Sequence, residues 1–250
     1  MPKLSIITIS YNNKVGLERT VISVIGQTFT DFEYIVIDGA SNDGSADILK
    51  ENTSKIDYWV SEKDSGIYNA MNKGIQKATG EYCLFLNSGD YLYKPDTLEN
   101  VFAHNYNEDI IYGNMMIEQA SGTKKPASMP DVLNLEHFIN DTLWHPISFI
   151  KRELFIRYGY YREDLKVVSD YDFFLKTILI HKVTYRHILL VVSVFLMNGI
   201  SSDSKNKAMI EAERKMVQLE YFSETEINTV PKIKPTKRNI LKKIIDRLTK

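Results

Sequence analysis

Four short segments of this 250-residue chain are made largely of residue types that suit binding of hydroxyls, amide donors or a hard cation. They read Ser10-Tyr11-Asn12-Asn13, Asp38-Gly39-Ala40-Ser41-Asn42-Asp43-Gly44, Ser61-Glu62-Lys63-Asp64-Ser65-Gly66 and Asn87-Ser88-Gly89-Asp90. Each residue type also makes ordinary turns, so one such segment would say little, but all four come after apolar runs and together describe one polar edge. Asp38, at the end of its run, suits hydrogen bonding to a base or ribose. Asp90 suits Mg²⁺ or Mn²⁺, which take oxygen ligands and keep waters and phosphates in their shell, and so can bridge a diphosphate. A later cluster, Ser169-Asp170-Tyr171-Asp172, directly precedes an apolar helical run over residues 173–180. Its spacing alone favours a helix start, with Ser169 as N-cap and the acids near the positive dipole end. Asp172 fits that role better than a metal ligand, because residues two apart on a helix diverge. His104, His137, His181 and His187 show no ligand spacing and read as structural.

The elements that must position these groups alternate. Short apolar runs rich in Ile, Val and Tyr predict strands over residues 4–9, 33–38, 57–60, 81–86 and 109–112. Helical patterns lie between them at 15–27, 45–51, 67–78 and 95–104, with Gly80 closing the third and Pro95 opening the fourth. Such alternation predicts an α/β fold with an open, mostly parallel sheet covered by helices, whose ligands bind at the carboxyl ends of the strands. The four polar segments occupy those ends. A further apolar run at 188–197 reads as a buried strand, being about half the length of a membrane-spanning helix. The mainly apolar run over residues 4–9 is too short for a signal peptide.

With 44% hydrophobic and 25% charged residues the composition is that of a globular protein, which excludes collagen-like, coiled-coil and wholly disordered chains. Cys83, the one cysteine, can form neither an internal disulfide nor a multi-cysteine zinc site, so cytoplasmic residence is the default expectation. The net charge of −1 hides an asymmetry. Residues 232–250 carry eight basic residues against Asp246 alone, a net of +7, leaving 23 basic against 31 acidic, or −8, on the remainder. A basic end on an acidic body suggests an anionic partner.

The segments after the strands exclude several chemistries. The dinucleotide pattern G-x-G-x-x-G is missing after the first strand. Gly39 and Gly44 have P-loop separation, but Ser45-Ala46 stand where Lys and Ser or Thr are required, so nothing meets the β- and γ-phosphates of ATP.

Four ordered motifs, SIITISYN (5–12), YIVIDGASNDGS (34–45), DSGIYNAMNKG (64–74) and LFLNSGD (84–90), together resemble glycosyltransferase family 2, with its GT-A fold. The resemblance is dense over 4–113, resumes at HPISF (145–149) and 159–176, and ends near GISS (199–202). It implies inverting transfer of a sugar from a nucleotide-diphosphate sugar, with a UDP-sugar favoured. Thr8, Ser10 and Asp38 match positions that hold base and ribose, and Asp43 lies in the same loop. Asp64, Gly66 and Asn72 fall on the family's Asn-x-Gly-x-x-x-Ala-Arg-Asn segment, where Asp64 replaces Asn and Met71 replaces the Arg that meets donor oxygens, leaving Lys73 as a candidate substitute. The family's Asp-x-Asp-Asp metal motif is reduced to Asn87-Ser88-Gly89-Asp90, so Asp90 is the anionic ligand and Asn87 a neutral one for Mg²⁺ or Mn²⁺. Asp170 matches the family's catalytic base. Trp144 and His145 are weaker candidates for lining the acceptor pocket, and Tyr68 and Trp144 for stacking on sugar rings.

The resemblance suggests a division into a nucleotide-sugar-binding half (1–113), an acceptor-binding half (114–230) and a basic amphipathic tail (231–250). In the tail Ile240, Leu241, Ile244, Ile245 and Leu248 fall on one stripe surrounded by cations. This predicts either a helix docked on the body or, through 236–250, an anchor on anionic lipid at the inner face of the cell membrane. An acidic body with no basic stripe argues against nucleic acid. The expected activity is therefore a metal-assisted hexosyltransferase acting on a hydroxyl of a glycan or lipid-linked glycan acceptor. The alternative is a non-catalytic nucleotide-sugar-binding or scaffolding protein of polysaccharide assembly, suggested by the depleted metal motif and the missing arginine.

Overall fold

The computed structural model describes residues 1–197 and 199–231. The chain opens with β1 (Leu4–Ser10), α1 (Lys14–Ile25), β2 (Phe32–Asp38), α2 (Ser45–Glu51), β3 (Tyr58–Ser61), α3 (Ile67–Lys77) and β4 (Tyr82–Phe85). It continues through β5 (Tyr91–Leu92), α4 (Thr97–Phe102), β6 (Ile110–Glu118), β7 (Lys124–Ala127), α5 (Leu135–Asn140), β8 (Ser148–Lys151) and α6 (Arg152–Tyr158). Then come α7 (Ser169–Leu175), running into a π-helical turn at Lys176–Ile180, β9 (Tyr185–Leu196), α8 (Lys207–Tyr221) and α9 (Glu224–Thr229).

Among the described residues nine strands form one sheet in the order β3-β2-β1-β4-β8-β6-β9-β5, with β7 added beside β6. The expected parallel sheet is present in the first half, where β1 pairs in parallel with β2 and β4, and β2 with β3. Every residue of β1 is buried, as a central strand covered by helices on both faces requires. Ser10 and Asp38 are direct neighbours in the β1–β2 register, so the polar segments after these strands begin at the same level.

Short β8 joins the halves, pairing antiparallel with β4 on one side and β6 on the other. β6 and β9 then run parallel, with a register shift at Gly113. Around it β6 changes partner: Ile110–Tyr112 pair with β8, whereas Met115–Glu118 pair with β7. Residues 188–196 of the apolar run lie within β9, whose early residues are only partly covered, and Met197 follows the strand, exposed. The core is continuous across both halves, from Ile6, Val36 and Phe85 to Phe149, Phe155 and Phe173. The tail beyond residue 231, including the expected stripe, lies outside the described residues.

Candidate active site

The loops after β1, β2 and β3 meet at one edge. The Asp38 carboxylate is fully buried and accepts hydrogen bonds from the Ser41 amide (3.0 Å), the Ser41 hydroxyl (2.5 Å) and the Ser61 hydroxyl (2.5 Å), which ties the second loop to the third. Asp43 accepts from the Lys14 amide at 2.7 Å and from the Ser45 amide and hydroxyl at 3.0 and 2.6 Å. These bonds outweigh desolvation and lower its pKa. Asn12 closes the pair of loops, donating its amide to Ser41 Oγ and accepting the Asn42 amide. Asn12 and Ala40 both have positive φ, 47° and 61°, an uncommon backbone state for residues with a side chain. A Cβ on Gly39 would lie 2.6 Å from Asp64 Oδ2 and 3.2 Å from the Tyr11 ring, so the absence of a side chain permits this convergence. Ser10 Oγ, at the same edge, is a buried oxygen with no hydrogen-bond partner among the described residues.

The fourth loop borders a cavity of about 390 Å³. Asn13 bonds the Ser88 carbonyl (2.9 Å), and Thr20 Oγ donates to the Asp90 carbonyl (2.7 Å) while accepting the Gly89 amide (3.0 Å). The turn Asn87–Asp90 is thereby fixed to α1. Asp90 is 6% exposed and one of its carboxylate oxygens accepts the Leu196 amide of β9 at 3.1 Å. Burial pushes its pKa up to about 7 despite that bond and the nearby His145.

Asp170 enters the same cavity from the first turn of α7. Its Oδ1 accepts the Tyr171 amide (3.0 Å) and faces the Tyr68 hydroxyl (2.9 Å), and its Oδ2 faces His145 Nδ1 (3.0 Å). Burial and the adjacent carboxylate hold the Tyr68 phenol well above its usual pKa, so it stays protonated as a donor. His145 Nε2 in turn lies 3.2 Å from Asn87 Nδ2. Asn87, Asp90, Trp144, His145 and Asp170 therefore share one cavity wall, although they are spread over 84 positions of sequence from 87 to 170.

Other sequence-derived candidates sit elsewhere. Thr8 is wholly buried, donating to the Leu86 carbonyl (2.8 Å) and lying 3.0 Å from the Tyr34 hydroxyl. Asn72 clasps the Tyr161 backbone through both its amide groups (2.9 and 3.1 Å) and donates to Glu163. Lys73 is bound to Glu62 (2.7 Å) and the Lys63 carbonyl (3.0 Å) and does not line the cavity. Gly66 caps α3 at φ 138°, and its amide donates to Asp64 Oδ1. α7 begins at Ser169, but Val168 occupies its cap and the Ser169 hydroxyl is buried without a partner among the described residues, which corrects the expected N-cap. Asp172 faces away toward α8, accepting the Tyr221 hydroxyl at 2.9 Å.

Three residues escaped the sequence reading as site candidates. Tyr11 is 67% exposed at the edge of the first two loops. Its place in the first polar segment was the available signal. Met71, where the family has arginine, lines the cavity. Arg214 of α8 is the one Lys or Arg among the described cavity-lining residues, with its guanidinium 4.4 Å from the Tyr171 ring centre and Nη2 donating to the Phe138 and Asp141 carbonyls (3.2 and 2.8 Å). Nothing near Arg214 in sequence indicated this, because its partners come from other elements.

A divalent cation fits the fourth loop in part. Asn87 Oδ1 is buried with no hydrogen-bond partner among the described residues, and Asp90 is a buried carboxylate whose ionisation a cation would favour. No group of three or more His, Cys, Asp or Glu residues is placed to hold a metal ion among the described residues. The rest of the shell would thus come from phosphate oxygens and water, the arrangement Mg²⁺ commonly takes.

Comparison with known proteins gives consistent results. The family model described as Glycosyl transferase family 2 matches residues 5–164. An uncharacterized glycosyltransferase of Mycobacterium tuberculosis is 32% identical over 229 residues, spanning 87% of this chain and 84% of the relative. A PGL/p-HBAD biosynthesis glycosyltransferase of Mycobacterium bovis is 29% identical over 217 residues, spanning 84% and 83%. Among solved structures, S. aureus TarS 1-349 in complex with UDP-GlcNAc superposes with TM-score 0.70 at 21% identity, covering 91% of this chain and 70% of that one. Mannosyltransferase PcManGT from Pyrobaculum calidifontis, in complex with GDP-Man and Mn²⁺, gives 0.66 at 16% identity, covering 89% and 65%. These likenesses show the GT-A fold.

Proposed function

Since the chain belongs to glycosyl transferase family 2 and is a glycosyltransferase, we propose that it carries out inverting transfer from a nucleotide-diphosphate sugar, with a UDP-sugar favoured, to a hydroxyl of a glycan or lipid-linked glycan. The observation that carries this reading is the shared cavity: Asp90, in the loop after β4, and Asp170, on α7, line one space of about 390 Å³. Inversion needs a base on the acceptor side and charge compensation on the leaving-group side. Asp170 takes the proton from the acceptor hydroxyl as that oxygen attacks C1 of the sugar, opposite the departing diphosphate. Tyr68 and the Tyr171 amide hold its Oδ1, leaving Oδ2 with His145.

Asp90 and Asn87 would hold the Mg²⁺ or Mn²⁺. When bound, the ion supplies positive charge for the leaving diphosphate. The loops after β1 to β3 would take the nucleoside, with Asp38 and Asp43 shaping the backbone around Ser10, and Tyr11 offering a ring face to the base. Residues 1–113 would thus serve the donor and 114–230 the acceptor.

No described helix is long and apolar enough to cross a membrane. The +7 charge of residues 232–250 supports peripheral attachment to an anionic membrane face.

A thermal-shift screen of UDP-, GDP- and dTDP-sugars, with and without Mn²⁺, identifies the donor. Asp170→Asn should then lower transfer by roughly 10²-fold or more while preserving donor binding. Near-normal transfer in that variant would remove Asp170 as the base.

A further inference from the structure

His145 lies between the two halves of the proposed chemistry, and its hydrogen bonds have one consistent assignment with a neutral ring. An ionised carboxylate only accepts, so Nδ1, 3.0 Å from Asp170 Oδ2, carries the proton. Nε2 of the neutral ring is then a lone pair. The group 3.2 Å from it is Asn87 Nδ2, a donor, so the second contact is satisfied as well. The amide orientation agrees: with Nδ2 committed to the imidazole, Asn87 Oδ1 is the buried oxygen left without a partner among the described residues. Both ring nitrogens are thus engaged while His145 lines the cavity.

We propose that His145 is a positioning residue that, through its two ring nitrogens, fixes Asp170 for the acceptor and simultaneously turns Asn87 Oδ1 toward the cation beside Asp90. The proposal rests on the glycosyltransferase reading of this same site. It adds that base and cation site are not independent: one imidazole sets the orientation of both. Residues that orient metal ligands in this way are commonly worth about 10- to 100-fold in affinity or rate.

The test uses the full chain, with Mn²⁺ binding followed by electron paramagnetic resonance in the absence of donor, alongside kcat and KM for the donor identified by thermal shift. His145→Ala should weaken Mn²⁺ binding about tenfold and lower kcat by roughly 10²-fold, with donor KM changed less than about threefold. His145→Gln, whose amide can donate to Asp170 and accept from Asn87, should recover part of both losses. It also serves if the alanine variant fails to fold. An Asn87→Ala/His145→Ala pair should show less than the summed loss in Mn²⁺ affinity, because both act on one contact.

Wild-type Mn²⁺ affinity in His145→Ala overturns the proposal. So does a rise confined to acceptor KM, which would make His145 an acceptor contact. If His145→Ala is silent while Asp170→Asn abolishes transfer, this inference fails and the family mechanism stands; if Asp170→Asn is silent, the underlying reading fails.

Discussion

Asp90→Asn should stabilise the metal-free protein, and the size of the effect can be worked from its burial. The carboxyl is 6% exposed, with one backbone amide as its partner among the described residues, and its pKa is pushed up to about 7. Against about 3.9 in an unfolded chain, that difference corresponds to roughly 4 kcal/mol between protonation states. Because the folded value is the higher one, the folded protein binds more protons between these values. The effect vanishes below about pH 4, where both states are protonated. Stability is lost as pH rises from about 4 to 7, and the full penalty persists above. Asparagine keeps an acceptor for the Leu196 amide but carries no charge. Urea unfolding of both proteins in EDTA at pH 4.5, 6 and 8 should therefore show a gap of only about 1 kcal/mol at the lowest pH. At pH 8 the variant should lead by a few kcal/mol, a large share of the typical total of about 5–15 kcal/mol. Asp172, which burial also raises, is common to both proteins and cancels in the difference. Saturating Mn²⁺ should narrow the gap by stabilising the wild type alone. Equal stabilities at pH 8 in EDTA, or a less stable variant, would refute the argument.

Three further outcomes are expected. Cys83 is buried and its thiol is pushed up to about 12, so an aromatic disulfide reagent should modify it only after denaturation; rapid labelling of the native protein would contradict the packing. Arg214→Lys keeps the charge but loses the planar contact with Tyr171 and the paired carbonyl bonds, which should lower stability by about 1–2 kcal/mol, and an unchanged urea midpoint would argue against that clamp. Removal of residues 232–250 should move the protein from membrane to soluble fractions on cell fractionation; an unchanged distribution would exclude the tail as anchor.

The first half of the fold was legible because its signals are local. Runs such as residues 4–9 and 33–38 are apolar on both faces, and the segments after them are turn-forming, so strand ends and polar loops were marked together. β5 holds two residues, β7 reads Lys-Lys-Pro-Ala and β8 Ser-Phe-Ile-Lys, so none forms an apolar run of the kind that marked β4. At the candidate site, position alone marked Asp38 and Asp90 as candidates, but not that the Asp38 carboxylate is engaged by Ser41 and Ser61. Position did not mark Asp170: its spacing indicated only a helix start, and the family resemblance was needed to single it out. What distinguishes it from Asp172 is its set of partners, Tyr68 and His145 against Tyr221, and those arise from packing between distant segments. Lys73 shows the converse limit, since a cation in a suggestive motif is claimed by Glu62 and the Lys63 carbonyl.

The placement of β8 between β4 and β6 bears on how the protein is made. β4 is complete at residue 85, yet the strand that covers its free edge is residues 148–151, more than sixty positions later. During synthesis at about 5–20 residues per second, that edge would wait several seconds for its partner. Through this interval Tyr82–Phe85, wholly buried in the finished protein, would present an apolar strand with unpaired backbone groups. Nascent chains stalled before residue 148 should therefore be the species that chaperones capture, and those stalled well beyond residue 151, with β8 clear of the ribosome, should escape them.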